Sequence, residues 1–119
     1  MELIPAILMF TIGDDDFRVE LMRRLSELYG DAISPLDQST YAIPLRNPRP
    51  ADDVQQLAQL CGSIQQDLQI GLADEDTIYL CCPAARLNYR HDDIEYDQLA
   101  VFNVKDEVPQ LRRRLRIRR

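Results

Sequence analysis

Ten nearly all-apolar residues, 3–12 (LIPAILMFTI), run directly into Gly13 and three aspartates, Asp14, Asp15 and Asp16. No other stretch restricts the fold as strongly. An apolar run without alternation reads as a strand covered on both faces or central in a sheet. Pro5 is tolerated near its start, where a missing N–H costs little. Gly13 permits a sharp turn, and an aspartate just after it reads as a helix cap. Asp14 and Asp15 are the cap candidates, and the remaining acids suit the positive end of the helix dipole. The carboxyl end of a strand is where open α/β sheets usually place ligands and chemistry. Thr11 and the aspartates are therefore the first residues to weigh for a site.

The rest of the chain divides by periodicity. Phe17, Leu21, Leu25 and Leu28 form one apolar stripe and predict a helix over residues 15–29, closed by Gly30. A short strand is expected at 32–34, ended by Pro35. Tyr41, Ile43 and Leu45 alternate within a strand at 39–45, and Pro44 favours an edge or strand-end position. Asn47 to Pro50 (NPRP) is a loop signal. Val54, Leu57, Cys61, Ile64 and Leu68 give the clearest helical spacing, over 51–69, with Asp52 and Asp53 at its start. Residues 77–82 (TIYLCC) read as a strand stopped by Pro83, residues 84–97 as a polar segment, and residues 99–104 (LAVFNV) as a last short strand. Pro109 starts an expected helix over 108–115.

A chain of 119 residues fits one two-layer domain. We divide it into a folded unit, 1–104, and a basic extension, 105–119. Apolar residues at 45 % and charged residues at 29 % are ordinary for a globular protein. No apolar run reaches membrane-spanning length, and the opening run lacks the positive flank of a signal peptide. The expected location is the cytoplasm, with no membrane partner. Three cysteines, Cys61, Cys81 and Cys82, one pair of them adjacent, do not form a disulfide framework. With a single histidine, His91, they do not suggest a zinc site either.

The net charge of −6 conceals an asymmetry. Six of the last eight residues are arginine: Arg112, Arg113, Arg114, Arg116, Arg118 and Arg119. Of the fourteen basic residues, only Lys105 is a lysine. Arginine pairs in two-pronged fashion with phosphates and carboxylates. The tail therefore has two destinations, a nucleic-acid backbone or an acidic protein surface. The alternating Leu111, Leu115 and Ile117 favour packing.

The element order is strand, helix, strand, strand, helix, strand, with one strand added. This is the α+β ferredoxin-like βαββαβ pattern, with two helices on one face of an antiparallel sheet. The other face then needs cover, and a second copy of the chain is the expected partner. The last strand is a candidate for extending the partner's sheet.

Phe10-Thr11-Ile12, the turn Gly13-Asp14-Asp15-Asp16, the helix with Arg18, Arg23 and Arg24, Gly30, and the strand Ser39-Thr40-Tyr41-Ala42-Ile43 together resemble a known family. It is that of the small CRISPR-associated endoribonuclease or spacer-acquisition subunits and their virulence-associated protein D relatives. The resemblance covers roughly residues 1–104 and implies a ferredoxin-like homodimer. In that family a strand-end aspartate is the metal ligand of the nuclease. Thr11 takes its place here, and a threonine hydroxyl is a poor Mg²⁺ ligand beside a carboxylate. The expected function is therefore that of a non-catalytic binding or structural protein, needing no cofactor, with the arginine tail as a candidate nucleic-acid contact. One alternative is a metal-dependent endonuclease that uses Mg²⁺ at Asp14, for which a helix cap is the plainer role. Another is a protein–protein interaction or regulatory module.

Other groups carry weaker signals. Asp74-Glu75-Asp76 and Asp92-Asp93 could join Asp14 to Asp16 around a metal, but acidic clusters are more often solvated loops. His91 beside Asp92 is a candidate base, more simply a surface residue. The cysteines sit on apolar elements and read as packing. Tyr89, Arg90 and Tyr96 suit either a nucleic-acid strand or an interface rim. No phosphate-binding glycine loop is present. The strands lack the paired stacking aromatics of an RNA-recognition sheet.

Overall fold

In the computed structural model, which describes residues 6–47, 49–83 and 99–109, the opening run becomes a strand, β1 (Ala6–Thr11), at the centre of a sheet. The start of that run, with Pro5, lies outside the described residues. Then follow α1 (Asp15–Tyr29), β2 (Ser34–Asp37), β3 (Thr40–Ile43), α2 (Pro50–Leu68), β4 (Thr77–Pro83) and β5 (Leu99–Asn103). The five strands lie in the order β2-β3-β1-β4-β5, every neighbouring pair antiparallel. The protein is thus a mixed α+β fold, with one antiparallel sheet and two helices.

Strand β1 alternates in burial although its sequence does not alternate in polarity. Ala6, Leu8 and Phe10 are buried, whereas Met9 and Thr11 are exposed. In register, Leu8 faces Tyr41 on one side and Leu80 on the other, and Phe10 lies beside Ile78. The Phe10 and Tyr41 rings stack with centroids 5.7 Å apart. These residues share one core with Phe17, Leu21 and Leu25 of α1 and Val54, Leu57, Cys61 and Ile64 of α2. Both helices therefore cover the same sheet face. Each fully buried Leu or Phe contributes roughly 1.5–3 kcal/mol, so this face holds most of the fold's hydrophobic stabilisation.

The helix ends follow local chemistry. The Asp14 carboxylate accepts the Phe17 N–H at 2.9 Å, and Asp15 and Asp16 occupy the first turn. Gly30 closes α1 at φ 62°, which a side chain would strain. Tyr29 is buried and Leu28 only partly so; both flank Leu25 as the stripe reaches the helix end. Helix α2 starts at Pro50, whose missing N–H costs nothing in the first turn.

Three boundaries differ from the sequence expectation. Strand β3 is Thr40–Ile43, not 39–45, so Pro44 and Leu45 lie beyond it. The second strand is Ser34–Asp37, not 32–34, and Pro35 lies inside it. Pro35 is tolerated because β2 is the sheet edge, one side of which makes no ladder bonds. The strand is bulged between Pro35 and Asp37. Strand β5 ends at Asn103, not at residue 104, and residues 104–109 form a strap on α2. Val104 and Val108 are buried, with a 3-10 turn at Lys105–Glu107 between them. Gln55 donates to Glu107, Gln65 donates to the Pro109 carbonyl, and Pro109 packs at Gly62. A Cβ at Gly62 would stand 3.2 Å from the proline ring, so a side chain there would push against the strap. The rest of the expected terminal helix, residues 110–115, lies outside the described residues, as do residues 84–98.

Asp14→Ala removes the α1 cap and lowers the unfolding free energy by about 1 kcal/mol. Urea titration followed by circular dichroism checks this, with the midpoint reduced and the slope unchanged.

Candidate functional site

The end of β1, where the sequence places any chemistry, is filled by structural hydrogen bonds. Gly13 N–H donates to Asp76 Oδ1 at 3.1 Å, and Ala73 N–H donates to Asp76 Oδ2 at 2.7 Å. Asp76 is buried, so its carboxylate serves as a clamp between the β1 end and the loop before β4. Arg18 donates to the Ile12 carbonyl at 2.8 Å and forms an ion pair with Asp15. Lys105 reaches the same loop, with Nζ 2.6 Å from the Ala73 carbonyl, 3.0 Å from that of Asp74 and 2.7 Å from that of Asp76.

Of the acidic residues weighed for a metal site, the structure brings Asp76 to Gly13, next to Asp14. Both Asp76 oxygens are spent on backbone amides and one Asp14 oxygen on the helix cap. Asp15, Asp16, Asp74 and Glu75 are exposed. Among the described residues, no three His, Cys, Asp or Glu side chains converge as a metal site would require. Thr11 is exposed at the strand end, opposite Thr77 in register. His91, Asp92, Asp93, Tyr89, Arg90 and Tyr96 lie outside the described residues, as do Arg112, Arg113, Arg114, Arg116, Arg118 and Arg119.

The cysteines sit where thiolate chemistry is disfavoured. Cys61, Cys81 and Cys82 are all buried. Burial pushes the Cys61 thiol up to about 12 and raises that of Cys81 as well. A thiol held neutral is a weak nucleophile.

The arginines of α1 are engaged within the chain. Glu20 accepts from Arg23 at 2.5 Å and from Arg24 at 2.7 Å. Arg24 also reaches across to α2, to Asp67 at 2.6 Å and to Ser63 at 3.1 Å. These contacts with Arg23, then Arg24, hold the Glu20 carboxyl down at about 2. The group tethers the two helices.

Sequence reasoning missed the buried polar groups. Asp53 is fully buried, accepting Arg46 N–H at 3.1 Å and Asn47 N–H at 3.2 Å. Gln65 accepts from Leu72 N–H at 3.1 Å. No local spacing marks either residue, because the amides that meet them come from other segments.

The remaining surface feature is the sheet face away from the helices. Ile7, Met9, Ala42, Tyr79, Cys81 and Val101 share it by register. Met9 is 44 % exposed and Val101 58 %. Of the other positions on this face, Thr11, Thr40, Thr77 and Asn103 are polar but uncharged, and Asp37 of the edge strand β2 lies beside Thr40 in register. Among the described residues, no helix is long and apolar enough to cross a membrane. No family model, curated protein or solved structure matches this chain.

Glu20 yields a prediction about acid stability. Its folded pKa of about 2 lies below the ordinary 4.5, so its stabilisation is present above about pH 4.5 and is lost as the pH falls towards 2. The stability difference between the parent and Glu20→Gln should be constant near neutrality and vanish across that window. Urea titrations at a series of pH values read it directly.

Proposed function

We propose that this chain is a non-catalytic, ferredoxin-like binding or structural protein, a diverged relative of the small CRISPR-type nuclease subunits, and that it assembles as a homodimer in the cytoplasm. The observation that carries the reading is the open sheet face, which is apolar at its centre and uncharged across four strands. A contiguous apolar sheet face left in water is unfavourable, and a second copy of the same face is a neutral match for it.

Two further observations support the family relation. The order β4-β1-β3-β2 with antiparallel neighbours is that expected when two split β-α-β units share a sheet, with β5 added beside β4. Thr11 occupies the strand end where a nuclease of this type would carry its aspartate. The engagement of Asp14 in the cap and of Asp76 in the clamp favours a non-catalytic role. The odd cysteine count, with its adjacent pair, supports a reducing compartment.

Nucleic-acid contact is the second reading, favoured by the six arginines of residues 112–119. If the tail is the contact, affinity falls steeply with salt and disappears when 112–119 are deleted. Deletion that leaves binding unchanged excludes the tail.

Sedimentation equilibrium of the full chain should give a dimer at micromolar concentrations. Met9→Lys and Val101→Lys each place a charge on the open face and should shift the chain to monomer, with helix content retained. A monomeric parent, or variants that dimerise as the parent does, would refute the open-face dimer. Cleavage of RNA or DNA that needs Mg²⁺ or Mn²⁺ and is lost in Asp14→Ala would establish the nuclease alternative instead.

A further inference from the structure

Three backbone carbonyls, of Ala73, Asp74 and Asp76, converge on one point in the loop before β4, and the Lys105 ammonium occupies it at 2.6, 3.0 and 2.7 Å. An ammonium has three N–H donors, one for each carbonyl. A guanidinium presents a flat fork and cannot serve three oxygens arranged around a point. This accounts for the one lysine in a chain whose other thirteen basic residues are arginine. Carbonyl oxygens turned towards one another repel unless a cation lies between them, and carbonyl rings replace the hydration of bound monovalent cations elsewhere in proteins. The neighbouring Asp76 carboxylate adds negative charge to the same turn, its own oxygens being held by Gly13 and Ala73.

We infer that the turn at residues 73–76 is a monovalent-cation site, filled by the chain's own single lysine as a tethered ammonium, and that this ligand latches the C-terminal strap to the β1 end of the sheet. The strap is otherwise held along α2 by Val108, by Gln55 on Glu107 and by Gln65 on Pro109. The latch therefore helps to fix the strap up to Pro109, the residue that precedes the arginine-rich segment in the sequence. It does not depend on the open face or on the oligomeric state.

The test separates the cation from the side chain that carries it. Lys105→Ala vacates the site and should lower the thermal unfolding midpoint by about 5–10 °C. Ammonium chloride should recover at least half of that loss relative to choline chloride at equal ionic strength. Lys105→Met fills the same path with apolar atoms and should lose stability without ammonium-specific recovery. An unchanged midpoint in Lys105→Ala, or recovery that does not distinguish ammonium from choline or the Ala variant from the Met variant, would overturn the proposal. If Lys105→Ala does not fold, the native chain decides. Lys105 is the only lysine, and its labelling by an amine-reactive ester should be about tenfold slower in the folded chain than in urea. Equal rates would rule the latch out.

Discussion

One buried carboxylate holds the most constrained part of this chain together. Asp76 accepts Gly13 N–H and Ala73 N–H, and so joins the end of β1 to the loop that leads into β4. The buried group is the carboxylate itself, which would cost more than about 1–3 kcal/mol if left without these donors. The neighbouring features depend on this clamp. With Gly13 fixed, Asp14 is set to cap α1, and Arg18 reaches the Ile12 carbonyl. With the loop fixed, its carbonyls converge on Lys105. The strand end, the helix start and the C-terminal strap are organised around a single turn.

The parts of the fold legible in the sequence are those set by local rules. The stripes Phe17-Leu21-Leu25 and Val54-Leu57-Cys61-Ile64 recur at helical spacing and are buried as that spacing predicts. Asp14 and Gly30 mark the two ends of α1 because capping needs only neighbouring backbone groups. What was not legible depends on distant partners. Asp53 and Asp76 sit in acidic clusters that look like solvated surface, yet each is buried because amides from another segment meet it. Pro35 reads as a strand terminator until the strand is known to be an edge. The alternating burial of β1 was hidden because its exposed face is itself partly apolar.

The same distinction governs the candidate site. A glycine followed by three aspartates at a strand end looks like a place for a metal, and an arginine-bearing helix beside it looks like a place for phosphate. In the folded chain, the nearest carboxylates accept backbone N–H groups, while Arg23 and Arg24 are paired with Glu20, Glu27 and Asp67. These contacts are partly exposed, and each ion pair contributes little alone. Their effect is to leave α1 without an unpaired cluster of charge, so the helix offers a phosphate backbone little to hold.

Charge then sorts the partners that remain. Outside the arginine tail the chain is strongly acidic, and a polyanion approaching it is repelled. In the proposed nucleic-acid reading such a partner would be held through residues 112–119, whose charge is screened beyond a Debye length, about 8–10 Å in ordinary salt. A second copy of the chain would carry the same net charge, and the described positions of β1, β3, β4 and β5 on the open sheet face are where charge is lacking. There Met9, Tyr79 and Val101 offer apolar area without charge of their own, which is the basis of the proposed self-association. The proposed self-association and the proposed anion contact thus rest on different residues of the chain, the first on the sheet face and the second on residues 112–119.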